Sequence, residues 1–559
     1  MGLQRMINLN IPNMKDYELE RKEFRLNVPK YFNFGFDVVD QWAKLQPDKL
    51  ALLAVDGNGE NPKHLTFSEI SAASNRFANV LKKLGLKKGD RVFLMLPRIP
   101  EWYVAIIGMI KLGVIPIPAT TQCTSKDIEY RINQSRAVMV ITDGTSAFKV
   151  EEIERNCKSL KHAMLVRGQR TGGWLSYESE IARISDDLVR VEKTRSDDPM
   201  LLYFTSGTVS YPKMVIHTQA SFGIGHIITA KFWQDLKPAD LHWTISDMGW
   251  AKAAWGKLFG QWTMGTAVFL QDAPAKFDPL LTLAILKRYG ITTFCAPPTI
   301  YRVLVLEDLK RYKLDRLRHC TAAGEPLNPE VIHQWEKGTG LKIYDGYGQS
   351  ETVNVVANYR CMPIKPGSMG KPAPGFDMSI VDDDGRELPP GAEGHIAIKV
   401  KPARPVGLFK EYWKEPKKTT AVFKGDWYYT GDRAFKDEDG YYWFVGRADD
   451  VIISSGYRIG PFEVESALIE HPAVAEAAVV ASPDELRGEV VKAFVVLSPG
   501  YSASEELKKE LQEHVRRVTA PYKHPRKIDF VNDLPKTISG KIKRSELKRQ
   551  EWEGWKRQK

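Results

Sequence analysis

The stretch 203-YFTSGTVSYPKMVIHT-218 sets the strongest limit on the fold of this chain. It is a Ser/Thr/Gly loop that ends on a lysine, with β-forming residues on both sides. The hydroxyls of Thr205, Ser206 and Thr208, the bare backbone of Gly207 and the mobile charge of Lys213 are groups that suit a phosphate. A P-loop needs G-x-x-x-x-G-K-[ST] opening onto a helix whose N-terminus receives the phosphates. Here no second glycine stands between Gly207 and Lys213, and Pro212-Lys213 runs into MVIHT, a β-type stretch. The backbone therefore turns between two strands. That excludes a P-loop and leaves two readings of the loop alone, a phosphate cradle or a plain hairpin turn.

The surrounding pattern is α/β. Thr66 and Glu69 form a capping box ahead of a helix over 66–86, with Ile70, Ala73, Phe77, Val80, Leu81 and Leu84 on one face and Gly85 at its end. Strands are expected at 90–96, 137–142, 266–270 and 292–297, with helical stretches between them. After about residue 375 the texture changes to strands such as 395-HIAIKV-400 and turns such as 382-DDDG-385 and 437-DEDG-440. After 446-GRADD-450 comes a compact end piece: helix 461–471, strands near 475–481 and 491–497, helix 504–518 and strand 527–531. A chain of 559 residues is too long for one hydrophobic core. We expect a large, multi-subdomain N-terminal domain over 1–448 and a small, mobile α/β C-terminal domain over 449–559, joined at Asp449 by a short hinge.

The totals exclude several classes. No apolar run reaches the ~18–20 residues of a membrane span. The five cysteines, Cys123, Cys157, Cys295, Cys320 and Cys361, are scattered without metal-ligand spacing. They suit a reducing compartment. The N-terminus lacks an apolar signal core and carries acidic residues, which argues against a transit peptide and for the cytoplasm. Net charge is +11, concentrated in the tail KIKRSELKRQEWEGWKRQK. With no zinc-finger spacing, RNA-binding aromatic motif or long basic run, nucleic acid is not an expected partner. A polyanionic small molecule is a better one, and a homo-oligomer stays open.

T-S-G-T-x-x-x-P-K resembles the signature loop of the adenylate-forming superfamily. Four more blocks match in order: 324-GEP-326; 345-DGYGQSE-351; 430-TGD-432 with 446-GRADDVIISSGYRIGPFEVE-465; and 535-PKTISGKIKR-544. Within that superfamily, 482-SPDELRGEVVKAFVVL-497 and 519-TAPYKHPRKIDFV-531 are similar to medium-chain, AMP-forming acyl-CoA synthetases, and the leaderless start resembles prokaryotic, including archaeal, members. The loop departs from the family pattern at Val209-Ser210, where T-G is usual, and the lost glycine stiffens it.

The resemblance implies two steps. A carboxylate attacks the α-phosphate of ATP to give an acyl-adenylate and pyrophosphate; coenzyme A then displaces AMP. It also implies roles. Loop residues 205–213 hold the β- and γ-phosphates, with Thr205 near the metal. Gly324, Glu325 and Pro326 wall the adenine. In 345–351, Asp345, Gly346 and Gln349 line the nucleotide site, Tyr347 lies against adenine, Ser350 reaches the α-phosphate and Glu351 binds Mg2+. Asp432 accepts the ribose hydroxyls, Arg447 assists at the ribose and phosphates, and Arg458 meets phosphate in one domain orientation. Lys541 is the catalytic lysine, since an ammonium between two approaching anions offsets their repulsion. Rotation about Asp449 withdraws Lys541 and brings in 453-ISSGYRI-459. Ser455, Gly456, Tyr457 and Arg487 then contact coenzyme A, with Arg517 and Lys523 near its phosphates.

For the acid, Gly348 stands where acetate-activating relatives carry tryptophan. A deeper pocket and a substrate longer than acetate follow, at ~0.8 kcal/mol per added buried CH2. Trp250 is the expected gate, Trp255 the floor, Val353 a narrowing residue and Gln122 a substrate contact, while Lys252 has no assigned part. The product expected is the acyl-CoA of a short- or medium-chain or branched acid. Delivery to a carrier protein, nucleotide binding without catalysis and luciferase-like oxygenation are the alternatives.

Overall fold

The structure is a computed structural model that describes residues 11–168, 172–188, 191–205, 212–272, 277–454, 457–485, 487–537 and 541–558. Its centre is a nine-stranded sheet. Six strands in its middle run parallel, in the spatial order Ile343–Tyr347, His319–Ala323, Thr293–Ala296, Leu241–Thr244, Ala267–Gln271 and Leu50–Val55. A parallel sheet must be covered on both faces, and these strands are correspondingly apolar and buried. Ligands of such sheets gather at the carboxyl ends of the strands. Here Gly324-Glu325-Pro326 leaves the end of His319–Ala323, and Gly348 follows the end of Ile343–Tyr347.

A second sheet of five parallel strands, among them Arg91–Met95 and Met139–Asp143, lies on the N-terminal side. The helix Phe67–Lys83 starts at the expected capping box, with both Thr66–Glu69 bonds formed. Strands Pro199–Phe204 and Met214–Thr218 pair antiparallel, and the Thr205 N–H donates to the Lys213 carbonyl (3.0 Å), so the loop does turn between two strands. A third strand, Glu411–Tyr412, adds to Met214–Thr218. A further antiparallel sheet includes Gly394–Lys399, Trp427–Lys436 and Tyr442–Arg447.

From Ile452 onward the chain builds its own core. Val464 and Leu468 of helix Pro461–Ile469 pack with Leu511 and Val515 of helix Glu505–Val518 against strands Val474–Asp484 and Gly488–Leu497. The stretch between this core and the preceding sheet is a turn in which the N–H groups of Asp450 and Val451 donate to the Arg447 carbonyl (2.9 and 3.2 Å). The joint is bridged by Phe444 edge-on to Phe462 (centroids 6.5 Å) and by Asn328 Nδ2 donating to the Ser466 carbonyl (3.4 Å).

Candidate active site

Side chains from two of the sequence blocks, 345–351 and 430–432 with 446–465, meet at one carboxylate. Asp432 and Arg447 face each other on paired antiparallel strands, with Arg447 Nε 3.9 Å from Asp432 Oδ1. The Tyr347 hydroxyl donates to Asp432 Oδ2 (2.6 Å), and Gln349 Nε2 donates to the same oxygen (2.7 Å). Gln349 is held in turn by the Tyr428 hydroxyl, which donates to its Oε1 (3.2 Å). Asp432 is 6% exposed. Burial pushes its carboxyl above the usual range, while Arg447, Tyr347, Gln349 and Lys541 pull it back.

Glu351 lies beside strand Glu411–Tyr412, which pairs with Met214–Thr218 just after Lys213. The Tyr412 hydroxyl donates to Glu351 Oε1 (2.9 Å), and the Tyr412 ring carries the Lys213 ammonium 4.7 Å from its centroid. Burial raises the Glu351 carboxyl, opposed by Tyr412, Lys213 and Arg447. Among the described residues no group of three or more His, Cys, Asp or Glu could hold a metal. A half-buried carboxylate linked through Tyr412 to Lys213 does fit Mg2+, which takes one or two carboxylates plus substrate phosphate oxygens.

Ser350 is fixed through its backbone. His217, fully buried, donates from Nε2 to the Ser350 carbonyl (2.8 Å), so Nδ1 is the acceptor facing Ser221 Oγ (3.1 Å). Burial pushes this imidazole down to about 3 and keeps it neutral. Neither Tyr412 nor His217 emerges from the sequence pattern; the one signal is that His217 lies on the strand that follows Lys213.

Lys541 reaches this site from the small domain. The residue keeps a solvent-open side, yet protein surrounds its ammonium. Loss of solvation lowers its ammonium, which sits in the field of Glu325, Asp432, Arg447 and Glu351. Lys252, left without a part by the sequence, is half-buried. It donates to the Ala323 carbonyl (2.7 Å) one residue before Gly324, whose φ of +112° suits only glycine. Asp345 is buried, receives the Gly346 N–H (2.9 Å) and is pushed up to about 8.

The acid pocket differs from expectation. Gly348 does leave a gap, but Trp255 fills it: a Cβ on Gly348 would lie 2.2 Å from the Trp255 ring. The indole N–H donates to the Thr352 carbonyl (3.1 Å), and Trp255 is 6% exposed. The space beside Gly348 is therefore taken by the Trp255 ring. Val353 is buried and packs against Gly407, whose carbonyl accepts its N–H (2.9 Å). Trp250 is half-buried at the N-terminus of helix Ala251–Lys257. Gln122 is exposed, with its N–H on Thr120 Oγ1 (3.2 Å), and Thr120 in turn donates to Asp247 (3.1 Å).

On the small domain, Ser454 pairs with Gly488, the residue after Arg487, and strands Ile452–Ser454 and Tyr457–Ile459 pair with each other. Tyr457 stacks on Tyr522 (4.3 Å). Asp449 is exposed in the turn at the joint. Ser206, Gly207, Thr208, Ser455, Gly456 and the Arg458 side chain lie outside the described residues.

A large α/β domain, a phosphate loop between strands and a lysine delivered by a second domain define an adenylate-forming enzyme. Residues 39–413 match the AMP-binding enzyme family and 463–541 its C-terminal domain. Acyl-coenzyme A synthetase ACSM3 of Mus musculus is 50% identical, over 97% of this chain and 94% of its own length. ACSM4 of Homo sapiens is 52% identical, over 94% and 92%. The anthranilate CoA ligase AuaEII, solved with anthranoyl-AMP, superposes with a TM-score of 0.86 at 31% identity, over 94% of this chain and 98% of that one. The chain belongs to the AMP-binding enzymes, and within them to the acyl-CoA synthetases. It is an AMP-forming acid–thiol ligase with ATP and coenzyme A as substrates.

Two expectations are corrected. The two acyl-coenzyme A synthetases are mammalian, which does not support a prokaryotic resemblance, and both are named as mitochondrial, which overturns the cytoplasmic reading. The acidic residues that argued against a transit peptide serve the fold instead. Asp16 caps helix Tyr17–Glu23, and Tyr17 of that helix donates to the Pro372 carbonyl (2.9 Å).

Proposed function

We propose that this acyl-CoA synthetase activates a short acid, straight or branched near its carboxylate. The observation that carries this is the Trp255 ring lying in the gap left by Gly348. With that space filled, a long acyl chain loses this place to bury its CH2 groups, and each forgone burial withholds ~0.8 kcal/mol. The mitochondrial names of the relatives support a mitochondrial setting.

In this reading the loop 205–213 holds the β- and γ-phosphates, and Lys213 is steered towards them by the Tyr412 ring. Gly324, Glu325 and Pro326, with Asp345, Gly346 and Tyr347, shape the adenine slot. Asp432, oriented by Tyr347 and Gln349, accepts the ribose hydroxyls, and Arg447 offsets its charge. Ser350 donates to the α-phosphate from a backbone that His217 holds still. Mg2+, when bound at Glu351, neutralises phosphate charge. Lys541 sits between the acid's carboxylate and the α-phosphate, lowers the cost of bringing two anions together and stabilises the charge that builds in the transition state. The small domain then turns about Asp449, withdraws Lys541 and presents the 453–459 hairpin with Tyr457 and Arg487 to coenzyme A.

The test is pyrophosphate release and coenzyme A consumption across acetate, propionate, butyrate, isobutyrate, 2-methylbutyrate, hexanoate, octanoate, benzoate and palmitate. An optimum at about four to six carbons is expected, in line with the loss per CH2 above. An optimum at octanoate or palmitate would contradict the filled pocket.

A further inference from the structure

We infer that Arg544 is a positioning residue for Lys541: it pins the hairpin that carries the lysine to helix Pro461–Ile469, and so sets where the ammonium enters the large domain's site. The inference rests on the part proposed above for Lys541 in adenylate formation.

Lys541 is not on a regular element. Its hairpin is closed by the Thr537 N–H donating to the Lys541 carbonyl (2.7 Å), by the Lys541 N–H donating to Thr537 Oγ1 (3.1 Å) and by an antiparallel bridge between Lys536 and Ile542. Such a short hairpin is marginal by itself. Both arms are tied down. On the first arm, Lys536 pairs with Glu476 (2.9 Å), and both side chains are about one-third exposed. On the second, Arg544 opens the last helix, Arg544–Gln558. It makes a two-pronged bond to Glu465, Nε to Oε1 (2.9 Å) and Nη2 to Oε2 (2.5 Å).

The second tie is the stiff one. The Glu465 side chain is 5% exposed, and its Oε1 also accepts the Val479 N–H (2.8 Å). One carboxylate thus joins the helix, the strand Val474–Asp484 and the hairpin arm. Arg544 is three steps along the chain from Lys541, a reach of at most about 11 Å. A planar fork fixes direction as well as distance, which a lysine ammonium cannot do. In the present domain orientation the guanidinium also faces Asp450 of the joint and Glu325 of the large domain.

Arg544→Lys keeps the charge and removes the fork. Acid-dependent ATP–pyrophosphate exchange, thioester formation from supplied acyl-adenylate and coenzyme A, and the melting temperature are measured on the full chain. The variant is expected to lose at least about tenfold in kcat for exchange, as misplacement of a reacting group by a fraction of an ångström does. Its KM for ATP, its thioester step and its melting temperature stay close to wild type. Lys536→Met, which removes the exposed tie, leaves both steps within about twofold, as surface ion pairs contribute little. Should Arg544→Lys not fold, the paired Arg544→Gln, Glu465→Gln variant removes both charges together, and the same split between the two steps is expected. An equal loss in both steps, or no loss in exchange, overturns the positioning role. A wild-type chain that shows no exchange with any acid overturns the functional reading instead.

Discussion

The Trp255 indole and Gly348 share one space: a single added carbon on Gly348 would stand 2.2 Å from the ring. Two substitutions separate their effects. Trp255→Ala empties the space and is expected to move the acid optimum to longer chains, with kcat/KM rising about fourfold per added CH2 until the pocket is full. Gly348→Trp cannot share the space with Trp255. It is expected to impair every acid and lower the melting temperature, and not to create an acetate enzyme. Chain-length profiles of both variants check this; an unchanged profile for Trp255→Ala would place the pocket elsewhere.

Tyr412 ties Glu351 to the phosphate loop with two separable contacts, a hydroxyl on the carboxylate and a ring under Lys213. Tyr412→Phe removes only the first. A hydrogen bond to a charged group contributes ~1.5–3 kcal/mol, so kcat/KM for ATP should fall at least about tenfold. Tyr412→Leu also removes the ring and should lose a further few-fold. The KM for the acid should stay put in both. Kinetics with ATP varied at saturating acid decide it, and a wild-type value for Tyr412→Phe would contradict the link.

Stability should peak near neutral pH. His217 and His242 are pushed down to about 3 and His319 to about 4, all by burial, from an ordinary 6.5. Below pH 6.5 the unfolded chain takes up protons that the folded chain refuses, so stability falls as pH drops. Asp345 works the other way: it keeps its proton up to about 8 when folded, against 3.8 ordinarily. Across that window the folded state binds more protons, so stability falls as pH rises and levels off above 8. Close to pH 6.5 these histidines, joined by His226, which burial also holds well down, outweigh Asp345, and above it their contribution fades while that of Asp345 persists. The melting temperature should therefore be highest between about pH 6.5 and 7. Asp345→Asn should flatten the decline between pH 7 and 8; a variant that keeps the same decline would contradict the assignment.

Much of the local structure was legible because local rules decide it. The Thr66–Glu69 capping box forms as read, and the small domain's helices and strands appear in the expected order. The site blocks were legible as motifs, and the structure brings Tyr347, Gln349, Asp432 and Arg447 together. What the pattern does not carry is contact across distant segments. Tyr412 meets Glu351 from 61 residues away, and His217 meets Ser350 from 133. Trp255 reached from its own helix to fill a gap that the sequence counted as open. Side-chain packing of that kind depends on the sheet order, which places Leu50–Val55 next to Ala267–Gln271, and no local periodicity encodes it.

The central claim is that Lys541, carried by the small domain, serves adenylate formation and then leaves. The most direct test is Lys541→Ala assayed in two halves. Acid-dependent ATP–pyrophosphate exchange should fall by at least about a hundredfold, the size of effect expected for a preorganised charge at the reacting centre. Thioester formation from supplied acyl-adenylate and coenzyme A should stay within about threefold of wild type, since the lysine takes no part in it. Equal loss in both halves, or full exchange activity without the lysine, would contradict the account.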